Sequence, residues 1–405
     1  MSAPAPIPAA SRLRALDGLR GVALLGILLA NMLYWSGWVL MSPAQQVAHA
    51  GEAARQLHGF LERLLVDGKF YTLFSLLFGV GCAMQLQRLQ AGGHDGVRVY
   101  RRRMLVLLAI GLVHTLLVWD GDILVLYALL GLTLPWFARL SDRSLLAYAA
   151  VLVFAVPLAG QALFQAMGWN PGGWVMERSL MWFAAMGGDP AMDAGVRVLQ
   201  QAGWREQLAW SSTGTLFSWG LRLESWRIPK VLGIMVLGLW VGRRIARGEL
   251  LVDTRLLKRV LVAGLLVGVP ASLVYASTDG AGQTHWSSMI GTVPMALGYA
   301  AAFLLAWPRA QRLLGLFADA GRMPLTNYLA QSVVNGLVFF GVGLGLIGRL
   351  PFTAVYLYAV ALFALQVLWS RWWLARHAQG PVEAFWRGLT YSRQAQEARG
   401  QPTRP

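Results

Sequence analysis

The chain has 405 residues, 56% of them hydrophobic and only 13% charged, and it carries a net charge of +16. A soluble chain of this size must cover its surface with polar groups, and this composition excludes that. The basic residues sit between long apolar blocks rather than along one face, so the charge reads as cationic loops between membrane spans and not as a nucleic-acid surface.

The apolar blocks match the thickness of a hydrocarbon core, which takes about 17–25 residues as helix. Strands in lipid need barrel closure and alternating polarity, which these blocks lack. The expected fold class is all-α: a polytopic membrane protein of about ten transmembrane helices, near 18–40, 70–87, 104–119, 122–138, 144–167, 229–246, 258–277, 288–307, 325–347 and 352–374. The first run is long and no A-x-A site follows it, so it reads as a retained span and not a cleaved signal. The single cysteine, Cys82, falls inside a span, which leaves no intrachain disulfide and no metal site expected.

Basic residues fall on every second connection. Arg12 and Arg14 precede span one; Arg88, Arg98, Arg101, Arg102 and Arg103 lie between two and three; Arg139 and Arg143 between four and five. Arg247 and Arg255 lie between six and seven, Arg309, Arg312 and Arg322 between eight and nine, and Arg376, Arg387, Arg393, Arg399 and Arg404 in the tail. The intervening loops are balanced or nearly uncharged. That alternation predicts ten spans with both termini in the cytoplasm.

Polar groups inside spans are costly and need a partner or a purpose. In span one, Asp17 and Arg20 share a helix face, and Asn31 returns to it three turns later. Snorkelling anchors plus one packing amide are the plain alternative. Gly79 and Gly81 in span two suit close helix approach. Arg101, Arg102 and Arg103 set topology or hold phosphates of a cytoplasmic donor. His114 lies in the outer third of span three, and the turn Trp119-Asp120-Gly121-Asp122 returns a carboxylate toward it. A buried histidine beside a carboxylate suits general base catalysis, or proton relay in a transporter. A satisfied interface histidine is the bland reading. The long loop 168–228 is rich in Trp and reads as amphipathic helices at the interface, with a similar short helix around Ala48 to Leu65. Span nine places Asn327, Gln331 and Asn335 on one face, either as a functional stripe or as helix glue. Four regions follow: an N-terminal five-span bundle 1–167, the Trp-rich loop 168–228, a C-terminal five-span domain 229–390, and a disordered tail 391–405.

Several stretches together resemble the YeiB family of bacterial inner-membrane proteins. They are Arg14-Ala-Leu-Asp-Gly-Leu-Arg-Gly21 with Asn31, Lys69 to Gly79, Gly111-Leu-Val-His114 with Gly121 to Leu124 and Tyr127, Gly321 to Ser332, and Gly380-Pro-Val-Glu383 with Arg387 and Thr390. The N-terminal piece, Leu16-Asp17, Arg20-Gly21 and Asn31, is also similar to the wider transmembrane acyltransferases that include heparan-α-glucosaminide N-acetyltransferase. That resemblance implies transfer of an acyl group from cytosolic acyl-CoA across the membrane, with Asn31 near the reaction centre. The heparan enzyme has its catalytic histidine eleven residues after that asparagine; here the place is Ser42.

The expected function is therefore acyl transfer from acyl-CoA, with acetyl-CoA the expected donor and no metal, to an extracytoplasmic or membrane-embedded sugar, glycan or lipid. His114, Asp122 and Asn31 are the candidate catalytic residues. Asp17, Arg20, Arg101, Arg102, Arg103, Arg322, Asn327 and Gln331 are candidates for binding substrate or cofactor. The alternative is a proton-coupled transporter or exporter of a small solute; a scaffold using the Trp-rich loop would leave the buried polar groups unexplained. The bilayer is the expected partner, and a homodimer is compatible with the pattern.

Overall fold

Apolar runs punctuated by capping residues dictate a succession of helices. The computed structural model describes residues 9–91, 95–191, 194–250 and 253–400, with side chains from 14 to 391 outside the same gaps, and holds no strand among them. Helix α1 spans Ala9–Trp35, α2 Pro43–Ala50 and α3 Glu52–Leu65. Ser42 starts α2 through a capping box: its hydroxyl accepts from the Gln45 amide at 3.3 Å, and the Gln45 side chain accepts from the Ser42 amide at 2.8 Å. Then come α4 (Lys69–Ala91), α5 (Gly96–Leu117) and α6 (Leu124–Phe137). Next, α7 (Asp142–Ala150) continues through one π-helical turn into α8 (Val156–Met167). The rest are α9 (Pro171–Ala185), α10 (Gly195–Gln201), α11 (Trp204–Glu224), α12 (Arg227–Ala246), α13 (Thr254–Ser277), α14 (Trp286–Leu314), α15 (Leu316–Arg322), α16 (Pro324–Phe339), α17 (Phe352–Leu374) and α18 (Pro381–Gly400).

Among the described residues, six stretches are long and apolar enough to cross a bilayer: Arg14–Leu40, Glu52–Ala91, Asp142–Met167, Thr254–Ser277, Trp286–Leu314 and Phe352–Leu374. Their outer faces are greasy, with Leu266 of α13 and Leu357 of α17 exposed by 71% and 70%. Water would penalise such a surface and hydrocarbon does not. This is an all-helical membrane protein. The other four expected crossings fall on α5, α6, α12 and α16. Helices α5 and α12 are long enough but carry basic residues within their length. Helices α6 and α16 have only 14 and 16 residues.

The expected span to residue 347 is corrected, because α16 stops at Phe339. Glycines at 341, 343, 345 and 348 break it, with Gly345 and Gly348 at φ +62° and +70°. The freed backbone folds inward: Gly341 N–H donates to Leu199 O at 2.8 Å and Gly348 N–H to Ser36 O at 2.9 Å. Within the Trp-rich region, Trp174 and Trp182 of α9 are exposed as an interfacial helix requires. Helix α11 departs from that expectation. It packs on α5 and α12 and buries Gln207, Ser211 and Arg222. Helix α18 runs on to Gly400, through most of the stretch read as a tail. Residues 401–405 and the side chains of Arg12, Arg393 and Arg399 lie outside the described residues.

The core is built by close helix pairs. A Cβ on Gly79 would lie 2.1 Å from the Met235 carbonyl oxygen, and one on Gly238 2.3 Å from that of Leu76. Only glycine lets α4 and α12 touch backbone to backbone there.

Candidate active site

The Asp17–Arg20 spacing on α1 produces an ion pair of 2.7 Å, each side chain about a quarter exposed. Arg20 also donates to the Gly321 carbonyl at 3.2 Å. Glycine makes that reach feasible, since a Cβ on Gly321 would sit 1.8 Å from the Asp17 carbonyl oxygen. The first and ninth sequence motifs therefore lock together, α1 against α15.

This junction forms one side of a cavity of about 610 Å³. Its lining comes from α1, α4, α5, α6, α15, α16 and α18. At one end stand Asp17 and Arg20 (α1), Arg88 (α4), Arg103 (α5), Arg322 (α15), and Glu383 and Arg387 (α18). Five arginines face two carboxylates there, so the rim is cationic and suits an anionic ligand group. Between one and four turns further, the wall is Leu24, Ile27, Phe74, Phe78 and Leu107, and the far end is Ile123, Tyr127 and Tyr328. Gly81 also lines the wall, and a Cβ there would meet nothing within 4 Å.

Helix α18 frames the rim. Glu383 accepts from the Leu325 and Thr326 amides at 2.8 and 3.1 Å and from the Thr326 hydroxyl at 2.5 Å. It thus satisfies free N–H groups at the start of α16, where Pro324 takes a first-turn position. Trp386 donates its indole N–H to the Arg103 carbonyl at 2.8 Å, and the Arg103 guanidinium lies 4.0 Å from its ring.

Beyond the far end lies His114. Its Nδ1 is 2.8 Å from Asp122 Oδ1, and both residues are buried. The other Asp122 oxygen accepts from the Val125 amide at 2.9 Å, and Arg222 donates to the Asp122 carbonyl. A carboxylate at Nδ1 fixes that nitrogen as the N–H and leaves Nε2 with its lone pair. Among the described residues, His114 Nε2 is buried without a partner, as is Trp119 Nε1. The Tyr328 ring lies 5.4 Å from the His114 ring, and its hydroxyl accepts from the Ile123 amide at 3.3 Å. Tyr328 thus has the cavity on one side and the histidine on the other.

Asp120 goes elsewhere. It accepts from the Tyr34 hydroxyl at 2.6 Å, and Trp210 donates to that same hydroxyl at 2.8 Å. In this connection between α5 and α6, burial pushes the Asp120 carboxyl up to about 6, against the opposing pull of the Tyr34 hydrogen bond.

The expected site residues divide. Asp17, Arg20, Arg103 and Arg322 meet at the cavity, and His114 pairs with Asp122 behind it. Asn31 lies on the cavity-facing side of α1, between Ile27 and Tyr34 in sequence, half-buried and with no hydrogen bond among the described residues, but it does not line the cavity. Arg101 and Arg102 do not line it either: successive helical residues point about 100° apart, so one of the three can face inward. Asn327 and Gln331 do not line the cavity and bond to neighbouring helices. Asn327 donates to Ala320 O and Ser370 Oγ at 3.1 and 3.0 Å, and Gln331 to Gln366 at 2.8 Å. Ser42, at the place of the heparan enzyme's histidine, is a helix cap. Sequence reasoning gave no role to Tyr328, Arg222, Tyr34 or Glu383; only proximity across long separations reveals them.

Comparison with known proteins follows this geometry. Residues 241–393 match a family described as a protein of unknown function, DUF418. The chain is 30% identical to the uncharacterized protein YxaH of Bacillus subtilis (strain 168), over 96% of this chain and 97% of that one. It is 31% identical to the uncharacterized protein YeiB of Escherichia coli (strain K12), over 93% and 95%. A Bacillus acidopullulyticus protein, described as an uncharacterized 39.9 kDa protein in an amylase 3' region, is 26% identical over 96% of each. No solved structure matches.

Proposed function

The chain belongs to the YeiB family, and from that premise we propose that it is a membrane acyltransferase using cytosolic acyl-CoA. The observation that carries the reading is Tyr328, which lines an arginine-rimmed, apolar-walled cavity and holds its ring 5.4 Å from that of a buried histidine whose Nε2 has no partner among the described residues. The alternating basic loops support ten crossings of the inner membrane with both termini in the cytoplasm. In that orientation the arginine rim faces the cytosol and His114 lies toward the outer side.

Arg20, Arg103 and Arg322 hold the donor's phosphates, and the acyl-pantetheine arm follows the apolar wall. His114 Nε2 takes the proton from an acceptor hydroxyl or amine presented from the outer side, with Asp122 stabilising the imidazolium. The acceptor atom then attacks the thioester carbonyl, the C–S bond breaks, and the imidazolium returns its proton to the leaving thiolate. Trp119 Nε1 and the Asn31 amide are the donors free to steady the oxyanion. The acceptor is a sugar, glycan or lipid.

Purified protein given acetyl-CoA and longer acyl-CoAs should melt at higher temperature and consume thioester when acceptor is present. Neither effect with any donor would reject the proposal. A proton-coupled transporter is the second reading, favoured by two buried carboxylates, Asp120 and Asp122, on either side of Gly121. It requires passage past Tyr328, and proton-driven solute uptake into vesicles would support it.

A further inference from the structure

A second cavity, of about 420 Å³, shares no lining residue with the first. It lies among α1, α14, α15 and α17 and brings together Arg14, Arg312 and Arg371 around a single acid, Asp319, with Val367 and Leu368 completing its wall. We propose that it binds the phosphodiester of an anionic glycerophospholipid.

Three features identify the ligand. First, three guanidinium groups converge, and none has a hydrogen bond or ion pair among the described residues. Such groups pair best with phosphate oxygens, which accept from their planar fork two at a time. Second, the wall is continuous with the apolar outer face of the molecule. Leu368 is exposed by 64%, and the apolar window of α17 is only 22% buried. A soluble anion has no use for that surface, whereas acyl chains lie along it. Third, the tryptophan content at the cavity's end of α17 points to headgroup depth. Trp369, Trp372 and Trp373 crowd the same end of α17, with Trp372 half-exposed and the Arg376 guanidinium 4.6 Å from its ring. Tryptophan favours that level of a bilayer, and basic pockets between helices at that level bind anionic headgroups. The assignment does not depend on the reaction at the first cavity.

The test uses the full-length protein purified in detergent. Lipid retention is read by native mass spectrometry, and melting is followed with added phosphatidylglycerol, phosphatidylcholine, inorganic phosphate or 3',5'-ADP. Phosphatidylglycerol alone should be retained and should raise the melting temperature. Each of Arg14→Gln, Arg312→Gln and Arg371→Gln should weaken its retention about fivefold, and the triple variant about a hundredfold. Melting in phosphatidylcholine should stay unchanged, which separates loss of lipid from loss of fold. If the triple variant does not fold, the three single variants decide. Equal retention of both lipids, arginine-independent retention of phosphatidylglycerol, or equal protection by either soluble phosphate would overturn the proposal.

Discussion

His114 and Asp122 stand eight residues apart, yet the tight connection between α5 and α6 returns the carboxylate to 2.8 Å from the imidazole. Asp122 also anchors the start of α6 through the Val125 amide. Asp122→Asn keeps that anchor while presenting an amide to Nδ1, which disturbs the tautomer. Acyl transfer should fall by about 10²- to 10⁴-fold, with acyl-CoA binding retained. His114→Ala should abolish transfer at unchanged protein level. Full activity in either variant would remove His114 from the mechanism.

Gly79 and Gly81, two residues apart, should respond in opposite ways. A side chain at 81 enters open space in the cavity wall, so Gly81→Phe should abolish acyl-CoA stabilisation and leave the melting temperature of the free protein near that of the parent. A Cβ at 79 runs into the Met235 carbonyl, so Gly79→Ala should cost about 1–3 kcal/mol of stability. Melting curves with and without acyl-CoA check both. A Gly81→Phe protein that still binds donor would show that the cavity is not its site.

Asp120 gives a pH signature. Its folded-state carboxyl sits near 6, above the ordinary value of 3.8, so folding favours its protonated form. The stability this contributes is complete below about pH 4 and is lost as pH rises through 6. The loss amounts to roughly 3 kcal/mol at most. Asp120→Asn should flatten that part of the profile. Thermal unfolding of both proteins from pH 4.5 to 7.5 checks it, and superimposable profiles would contradict it.

Glu383→Ala should destabilise the start of α16 by about 1–2 kcal/mol, because two backbone amides and the Thr326 hydroxyl lose their acceptor. Hydrogen exchange should rise first at Leu325 and Thr326. Protection unchanged at those amides would show that the cap contributes nothing.

Local spacing made part of this molecule legible. Asp17 and Arg20 are a turn apart on one helix, and His114 and Asp122 flank one short turn, so chain geometry alone narrows their options. Asn327 and Gln331 show where spacing stops deciding. An amide stripe has the same period whether it faces a cavity or a neighbouring helix, and only the position of Gln366 and Ser370 on α17 decides. The early end of α16 was foreshadowed by its glycines, but hydropathy averages over them. Tyr328, Arg222 and Glu383 act on partners tens to hundreds of residues away, and no pattern in a single sequence encodes such a meeting.

The rim of the larger cavity joins Asp17 and Arg20 to Glu383 and Arg387, which come from opposite ends of the sequence. During synthesis most of the lining, with Arg20, Arg88, Arg103 and Arg322, is made before α18 adds Glu383 and Arg387. The rim is therefore complete only when α18 emerges from the ribosome and clasps α16. Premature termination upstream of that helix would leave a membrane-inserted protein whose α16 starts without its Glu383 cap.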